Sequence, residues 1–287
     1  MDCPAIRECK LPRVLLPFPQ PYDFELSTTR YRELGTDLAT MWHEGGVHRV
    51  VAGTEVRVEA APGGVRVEPG DTVSVEEIGR LLGLPFELDP FRAWADRDPI
   101  LGPIVRRLAG FRPTLNPRPF EALVIAITTQ QISLRAAAAI RSRFIAHFGV
   151  QHGVAWEFPT RERIASAEHA DFAELGFSQS KIAYVLALAR SDLDLDALGL
   201  VSDEEVAAEL TAIPGIGEWT SDWFLARHLA RPHAWPAGDL GLRKAVAAFY
   251  ADARPLSIKE VRSMGERFAP FQNLSAQYLL MGARLPG

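Results

Sequence analysis

The hydrophobic pattern of this chain changes period once, and that change limits the fold more than any other feature. Up to about residue 90, "VHRVVAGTEVRVEAAPGGVRVEP" sets Val56 and Val58, then Val65 and Val67, two apart around a PGG turn. Such alternation predicts a hairpin with one wet face. "RVLLPFPQPYDFELSTTRYREL" predicts a strand and then a helical stretch, and "SVEEIGRLLGL" a helix with Ser74 as N-cap and Glu77 three residues on. From about Asp98 the apolar residues recur every three to four positions. "PFEALVIAITTQQISLRAAAAIRSRFIAHFG" reads as helical with a break near Ser133. "SQSKIAYVLALARS", "SDEEVAAELTAI", "EWTSDWFLARHLA", "GLRKAVAAFYA" and "SAQYLLMGARL" each predict one amphipathic helix between caps or Pro/Gly breaks. The fold class is therefore α+β: a small mixed α/β N-terminal domain over residues 1–95, then an all-α domain over 96–287. No repeat of fixed period interrupts it.

With 287 residues and 47% hydrophobic content, the chain can bury a large core. No apolar run reaches the roughly 20 residues of a membrane helix, and the N-terminus lacks the apolar segment of a signal peptide. A cytoplasmic protein with no membrane partner is the expectation. Cys3 and Cys9 are the only cysteines, too few for a four-thiolate iron–sulfur cluster, and read as unpaired thiols in a reducing compartment.

The net charge of −5 conceals an uneven distribution. Residues 99–150 hold seven arginines against the single acid Glu121, and residues 211–287 hold nine bases against six acids. Between them, residues 151–210 hold four bases against 12 acids. A fold that joins the two basic segments would present a phosphate-binding face; the alternative is an ordinary mixed surface.

In "AAELTAIPGIGEWTSDWFLARHLA" a helix, a tight turn and a second helix follow one another. Gly215 and Gly217 free the backbone for close approach, and the amides opening the second helix favour an anion such as a DNA phosphate. An αα-hairpin whose glycines merely end a helix would look the same. About twenty residues on, "RPHAWPAGDLGLRKAV" places Asp239 just before a new helix. Hairpin, spacing, Gly/Pro-rich loop and aspartate together resemble the helix-hairpin-helix DNA glycosylase superfamily. "TTQQIS" is similar to its QQ(V/I)S segment, and an N-terminal domain of this size and order points to the alkylation-repair branch, the AlkA-like DNA-3-methyladenine glycosylases II.

The resemblance implies a hydrolase that flips an alkylated base out of double-stranded DNA and cuts its N-glycosidic bond, beginning base excision repair. Such a reaction passes through an oxocarbenium-like sugar and needs a fixed negative charge beside it. Asp239 suits that role, and it also suits a plain N-cap; the two are compatible. Superfamily members that cut the backbone carry a lysine nucleophile where this chain has Trp219, so the resemblance implies a monofunctional enzyme. It implies no iron–sulfur cluster either, since residues 240–287 contain no cysteine.

Trp219 and Trp223, four apart on one helix face, would wall the base pocket with Phe271, although aromatics at that spacing also fill cores. Gly215, Ile216, Gly217 and Thr220 form the expected phosphate-binding hairpin. The family's inserted leucine aligns with Pro113, leaving Leu115 as the apolar wedge. Gln130 and Gln131 would reach bases or backbone near it, or cap the helix break. No cofactor is required, though the carbonyls of Thr211, Ile213 and Ile216 match positions that hold a monovalent cation, sodium or potassium, in the family. A monomer is expected. Two rival readings stay open: a glycosylase for another damaged base, and a non-enzymatic DNA-binding protein.

Overall fold

The computed structural model describes residues 12–285; Cys3 and Cys9 lie outside them. Strands β1 (Val14–Pro17), β2 (Met41–His43), β3 (Gly46–Val51), β4 (Thr54–Ala61) and β5 (Gly64–Glu68) form an antiparallel sheet in the order β1-β5-β4-β3-β2. Val58 pairs with Val67 and Ala61 with Gly64. Val56, Val58, Val65 and Val67 are fully buried against Ile78, Leu81 and Leu82, so the alternation reads out as one packed face. Helices α1 (Phe24–Ser27) and α2 (Thr29–Glu33) fill the crossover from β1 to β2, and α3 (Thr72–Leu81) covers the buried face. The N-cap of α3 is Asp71, which accepts the Ser74 amide at 2.9 Å. Ser74 is thus inside the helix and not its cap: Asp71 is three residues earlier and offers a carboxylate, the stronger acceptor.

The second part holds α4 (Leu88–Ala95), α5 (Leu101–Arg107), α6 (Pro119–Thr129) and α7 (Leu134–Phe148), then a two-stranded hairpin of β6 (Val150–His152) and β7 (Ala155–Glu157). Helices α8 (Arg161–Ala165), α9 (Gln179–Arg190), α10 (Asp203–Thr211), α11 (Glu218–Arg227), α12 (Leu240–Tyr250), α13 (Ile258–Gly265) and α14 (Gln272–Gly282) complete it. The β6–β7 hairpin departs from the expected all-α composition. It packs on β3, and the Glu55 carboxylate of β4 accepts from Val154 N at 3.4 Å and meets His48 of β3 at 2.7 Å. Its three-residue strands are too short for a periodicity to register.

The helices bury two cores. One gathers α6 to α11 around Phe144, Phe172 and Phe224. The other gathers α4, α5, α12, α13 and α14 around Phe91, Phe268 and Tyr278. Because Phe86, Leu88, Phe91 and Ala95 pack in the second core, the hydrophobic clusters divide nearer residue 85 than residue 95. Residues 111–116 run through the interior between sheet and helices. Leu115 N donates to Leu81 O, Asn116 N to Arg227 O, and Tyr278 Oη to Phe111 O at 2.7–2.9 Å.

One ionic cluster joins the sheet to the helices. Arg49, 1% exposed on β3, donates to Glu121 of α6 through Nη1 and Nη2 at 3.0 and 2.5 Å, and to Glu77 of α3 through Nε at 2.6 Å. Glu77 also receives Arg118 at 3.0 Å.

Candidate nucleic-acid interface and active site

Helix α10 ends at Thr211, and the turn to α11 is pinned by Ile213 and Ile216, both buried in the first helical core. The two glycines beside them do different things. Gly215 has φ +85°, and a Cβ there would stand 1.9 Å from Cγ of Tyr184. Its freedom serves the packing of the turn on α9. Gly217 has φ −104° and ψ −177°, which any residue can adopt, and a Cβ there would meet nothing within 4 Å. It occupies the N-cap position of α11 with no side chain capping the first turn. The first-turn amides of α11 thus stand uncapped by any side chain at the positive end of the helix, beside the open space at Gly217, an anion site in physical terms.

Gln130 ends α6 and spends its side chain on the hairpin. Its Nε2 donates to Gly215 O at 3.0 Å and to Thr220 Oγ1 at 3.1 Å. Lys181 of α9 holds the same corner, donating to Thr128 O and Gln130 O at 2.7 and 2.8 Å. Gln130 is therefore a fastening of the hairpin, in place of the expected reach toward bases, and buried Thr220 is the other end of that fastening. Gln131 is different: exposed, with φ +58°, it projects from the α6–α7 turn. Ser133 caps α7, accepting the Ala136 amide at 3.2 Å, so the helix break stands where expected.

Between the two helical cores and helices α1 and α2 lies a cavity of about 990 Å³. Asp239, Trp219, Trp223 and Gln131 all line it. Asp239 is the N-cap of α12, with Oδ1 accepting Leu242 N at 2.8 Å. Its loop packs on the first tryptophan, since a Cβ on Gly238 would lie 3.2 Å from Cβ of Trp219. The carboxylate and one aromatic wall are thus set against each other by Gly238.

Three expected positions are corrected. Phe271 does not line the cavity; its ring packs 5.8 Å from Phe91 and 5.6 Å from Trp94, in the core that α4 completes. Leu115 cannot be a wedge, because it is fully buried in the same core, and Pro113 beside it is covered as well, forming part of the cavity wall. Both belong to the interior run 111–116, whose backbone bonds to three neighbours leave it no freedom to project. Gln131 takes the exposed position at the mouth of the cavity instead.

The cavity also holds residues the sequence did not single out. Arg30 and Tyr31 enter from α2, Arg227 from α11 and Lys244 from α12. Burial, then the neighbouring Arg30, pulls the Arg227 guanidinium down to about 9; it donates to Oε1 of Gln277. Among the described residues no group of three or more His, Cys, Asp or Glu side chains is placed to hold a metal ion, and no helix is long and apolar enough to cross a membrane. At the hairpin the Ile213 carbonyl accepts the Ile216 amide at 3.1 Å.

A family model described as HhH-GPD superfamily base excision DNA repair protein matches residues 124–270, which contain both the hairpin and Asp239. A DNA-3-methyladenine glycosylase of Bacillus subtilis (strain 168) is 30% identical over 216 residues, 71% of this chain and 71% of its own. Among solved structures, the 3-methyladenine DNA-glycosylase from Archaeoglobus fulgidus superposes with a TM-score of 0.84 at 26% identity, over 95% of this chain and 98% of that one. The overlap takes in the sheet as well as the helices. The Schizosaccharomyces pombe 3-methyladenine DNA glycosylase Mag1, solved in complex with abasic DNA, matches with a TM-score of 0.59 at 28% identity, over 67% of this chain and 94% of that chain.

Proposed function

This chain belongs to the HhH-GPD superfamily of base excision DNA repair proteins, and we propose that it is a monofunctional DNA glycosylase of the 3-methyladenine class. It binds double-stranded DNA as a monomer, receives an alkylated base flipped into the cavity, and hydrolyses its N-glycosidic bond to leave an abasic site. The carrying observation is the juxtaposition of Asp239 with Trp219 and Trp223 around one cavity beside the hairpin. A carboxylate fixed at a helix N-terminus stabilises the cationic sugar that forms as the bond breaks, or orients the attacking water. The tryptophans stack on the base, most favourably on a positively charged one. Gln131 is the residue inserted into the emptied stack, and the opening turn of α11 holds the phosphate.

The same reading includes the monovalent cation. Thr211, Ile213 and Ile216 place their carbonyls at the C-terminal end of α10 and in its turn, where the dipole is negative. The Ile213 oxygen keeps a second lone pair beside its bond to Ile216. Bound there, sodium or potassium would supply positive charge toward a phosphate.

Chromatography of bases released from DNA treated with a methylating agent tests the activity; no free methylated base would end the reading. Among the described residues Lys244 is the only lysine lining the cavity. Borohydride added during turnover is expected to trap no protein–DNA adduct, because hydrolysis leaves no Schiff base to reduce. A trapped adduct would refute the monofunctional mechanism and point at Lys244.

The two hairpin glycines give separable outcomes. Gly217→Ala is expected to weaken binding to damaged and undamaged duplexes alike by about tenfold, the worth of one charge-assisted hydrogen bond, with an unchanged melting midpoint. Gly215→Ala is expected to lower stability by about 2 kcal/mol or more through its left-handed backbone and the collision with Tyr184. Equal duplex affinity in Gly217→Ala and wild type would remove the hairpin from the DNA interface.

A further inference from the structure

The turn that carries Gln131 is held in a conformation its own residues do not favour. Gln130 has φ −52° and ψ 127°, and Gln131 follows at φ +58°. These are the dihedrals of a type II turn, whose second central residue is ordinarily glycine or asparagine because a side chain there crowds the backbone. Among the described residues Gln131 is the one non-glycine with positive φ on the cavity wall. Such a backbone persists only where its surroundings fix it. The fixing group is Lys181 of α9, 9% exposed, whose Nζ donates to Thr128 O and Gln130 O at 2.7 and 2.8 Å. The Thr128 bond is an ordinary contact of a cation with a helix C-terminus. The Gln130 bond is different, because that carbonyl belongs to the peptide joining Gln130 to Gln131.

In the commoner type I turn that peptide is flipped, with ψ of the first central residue about −30° and φ of the second about −90°. Such a flip would turn Gln130 O away from Lys181 and re-aim the Gln131 side chain. Resting on the glycosylase reading above and on Gln131 as the inserted residue, we propose that Lys181 is a positioning residue for base flipping: it holds the Gln130–Gln131 peptide so that Gln131 stands at the mouth of the cavity, set to enter the stack. The same corner reaches the phosphate site. Gln130 Nε2 bonds Gly215 O and Thr220 Oγ1, and Tyr184, three residues after Lys181 on α9, packs on Gly215. Helix α9 therefore supports the hairpin and the inserted residue together, and a duplex gripped at the hairpin meets Gln131 at a fixed place.

A double-mutant cycle tests this on duplex DNA treated with a methylating agent, through the single-turnover release of 3-methyladenine at saturating enzyme. Lys181→Met keeps the unbranched stem and removes the ammonium; Gln131→Ala removes the inserted side chain and leaves the backbone. Each single change is expected to slow release about tenfold, the scale for displacing a group that must meet the substrate in register. The double variant is expected to be no slower than Gln131→Ala, since Lys181 then has nothing left to position. A double variant slower by about a further tenfold overturns the proposal, as does a wild-type rate in either single variant. Salt dependence gives a second readout. The slope of log affinity for undamaged duplex against log salt is expected to match wild type in Lys181→Met; a slope shallower by about one would make the lysine a phosphate contact and overturn its positioning role. Should Lys181→Met fail to fold, Lys181→Gln, which keeps a neutral donor, goes through the same cycle. Release of no methylated base by the wild-type protein overturns the glycosylase reading itself, whereas the other adverse outcomes leave that reading standing.

Discussion

Asp239→Asn is expected to lower single-turnover base release by on the order of 100-fold, the scale for losing one preorganised electrostatic group, while the melting midpoint and duplex affinity stay near wild type. The structure explains why the two effects separate. Oδ1 of Asp239 accepts the Leu242 amide at 2.8 Å, and an asparagine carbonyl caps a helix about as well as a carboxylate. What the substitution removes is the negative charge facing the cavity. That charge has little to act on until the glycosidic bond stretches and the sugar becomes cationic, so its worth lies in the transition state. A residue serving only as a cap would behave oppositely: at most about 1 kcal/mol of stability would change and turnover per folded molecule would persist. Full activity in Asp239→Asn would sink the assignment. Unchanged affinity with lost release would reject the rival view of a DNA-binding protein without chemistry.

How far the sequence carried depends on the range of the interaction concerned. The β4–β5 hairpin was legible because Val56, Val58, Val65 and Val67 state the buried face in period two. The helix ends at Ser133, Ser178 and Ser202 were legible because a cap bonds an amide three residues away. Trp219, Trp223 and Asp239 came from a motif whose parts lie within about twenty residues of one another, and the cavity does bring them together. Phe271 and Leu115 were misplaced for the converse reason. Their surroundings are built by α4 and by the extended run 111–116, and no local pattern tells a covered apolar residue from a projecting one. Arg30 lies more than 180 residues before Trp219, and only the docking of sheet on helices places both on one cavity. Gly215 and Gly217 read identically as letters; Tyr184, packed against one and absent from the other, separates them.

That docking depends on Arg49, and Arg49→Met is expected to destabilise the protein by about 3–5 kcal/mol, the usual loss when one member of a buried ion pair is removed. Three features set the size. Arg49 is 1% exposed and Glu121 3%, so water cannot take over the lost bonds. Glu121 receives both of its bonds from Arg49, at 3.0 and 2.5 Å, and is left a bare carboxylate between β3 and α6. Glu77, by contrast, keeps Arg118 at 3.0 Å and suffers less. Nearly the whole penalty therefore falls on one group, which makes it reversible. Adding Glu121→Gln to Arg49→Met removes the stranded charge, and the double variant is expected to be more stable than the single one by 1 kcal/mol or more in urea titrations. Were the pair only a surface contact, Arg49→Met would lie within about 1 kcal/mol of wild type and the second change would add nothing. Because α2 belongs to the part that Arg49 fastens, loosening it would also move Arg30 and Tyr31 from the cavity wall. The single variant should then lose base release at denaturant concentrations well below its unfolding midpoint, and the double variant should recover part of it.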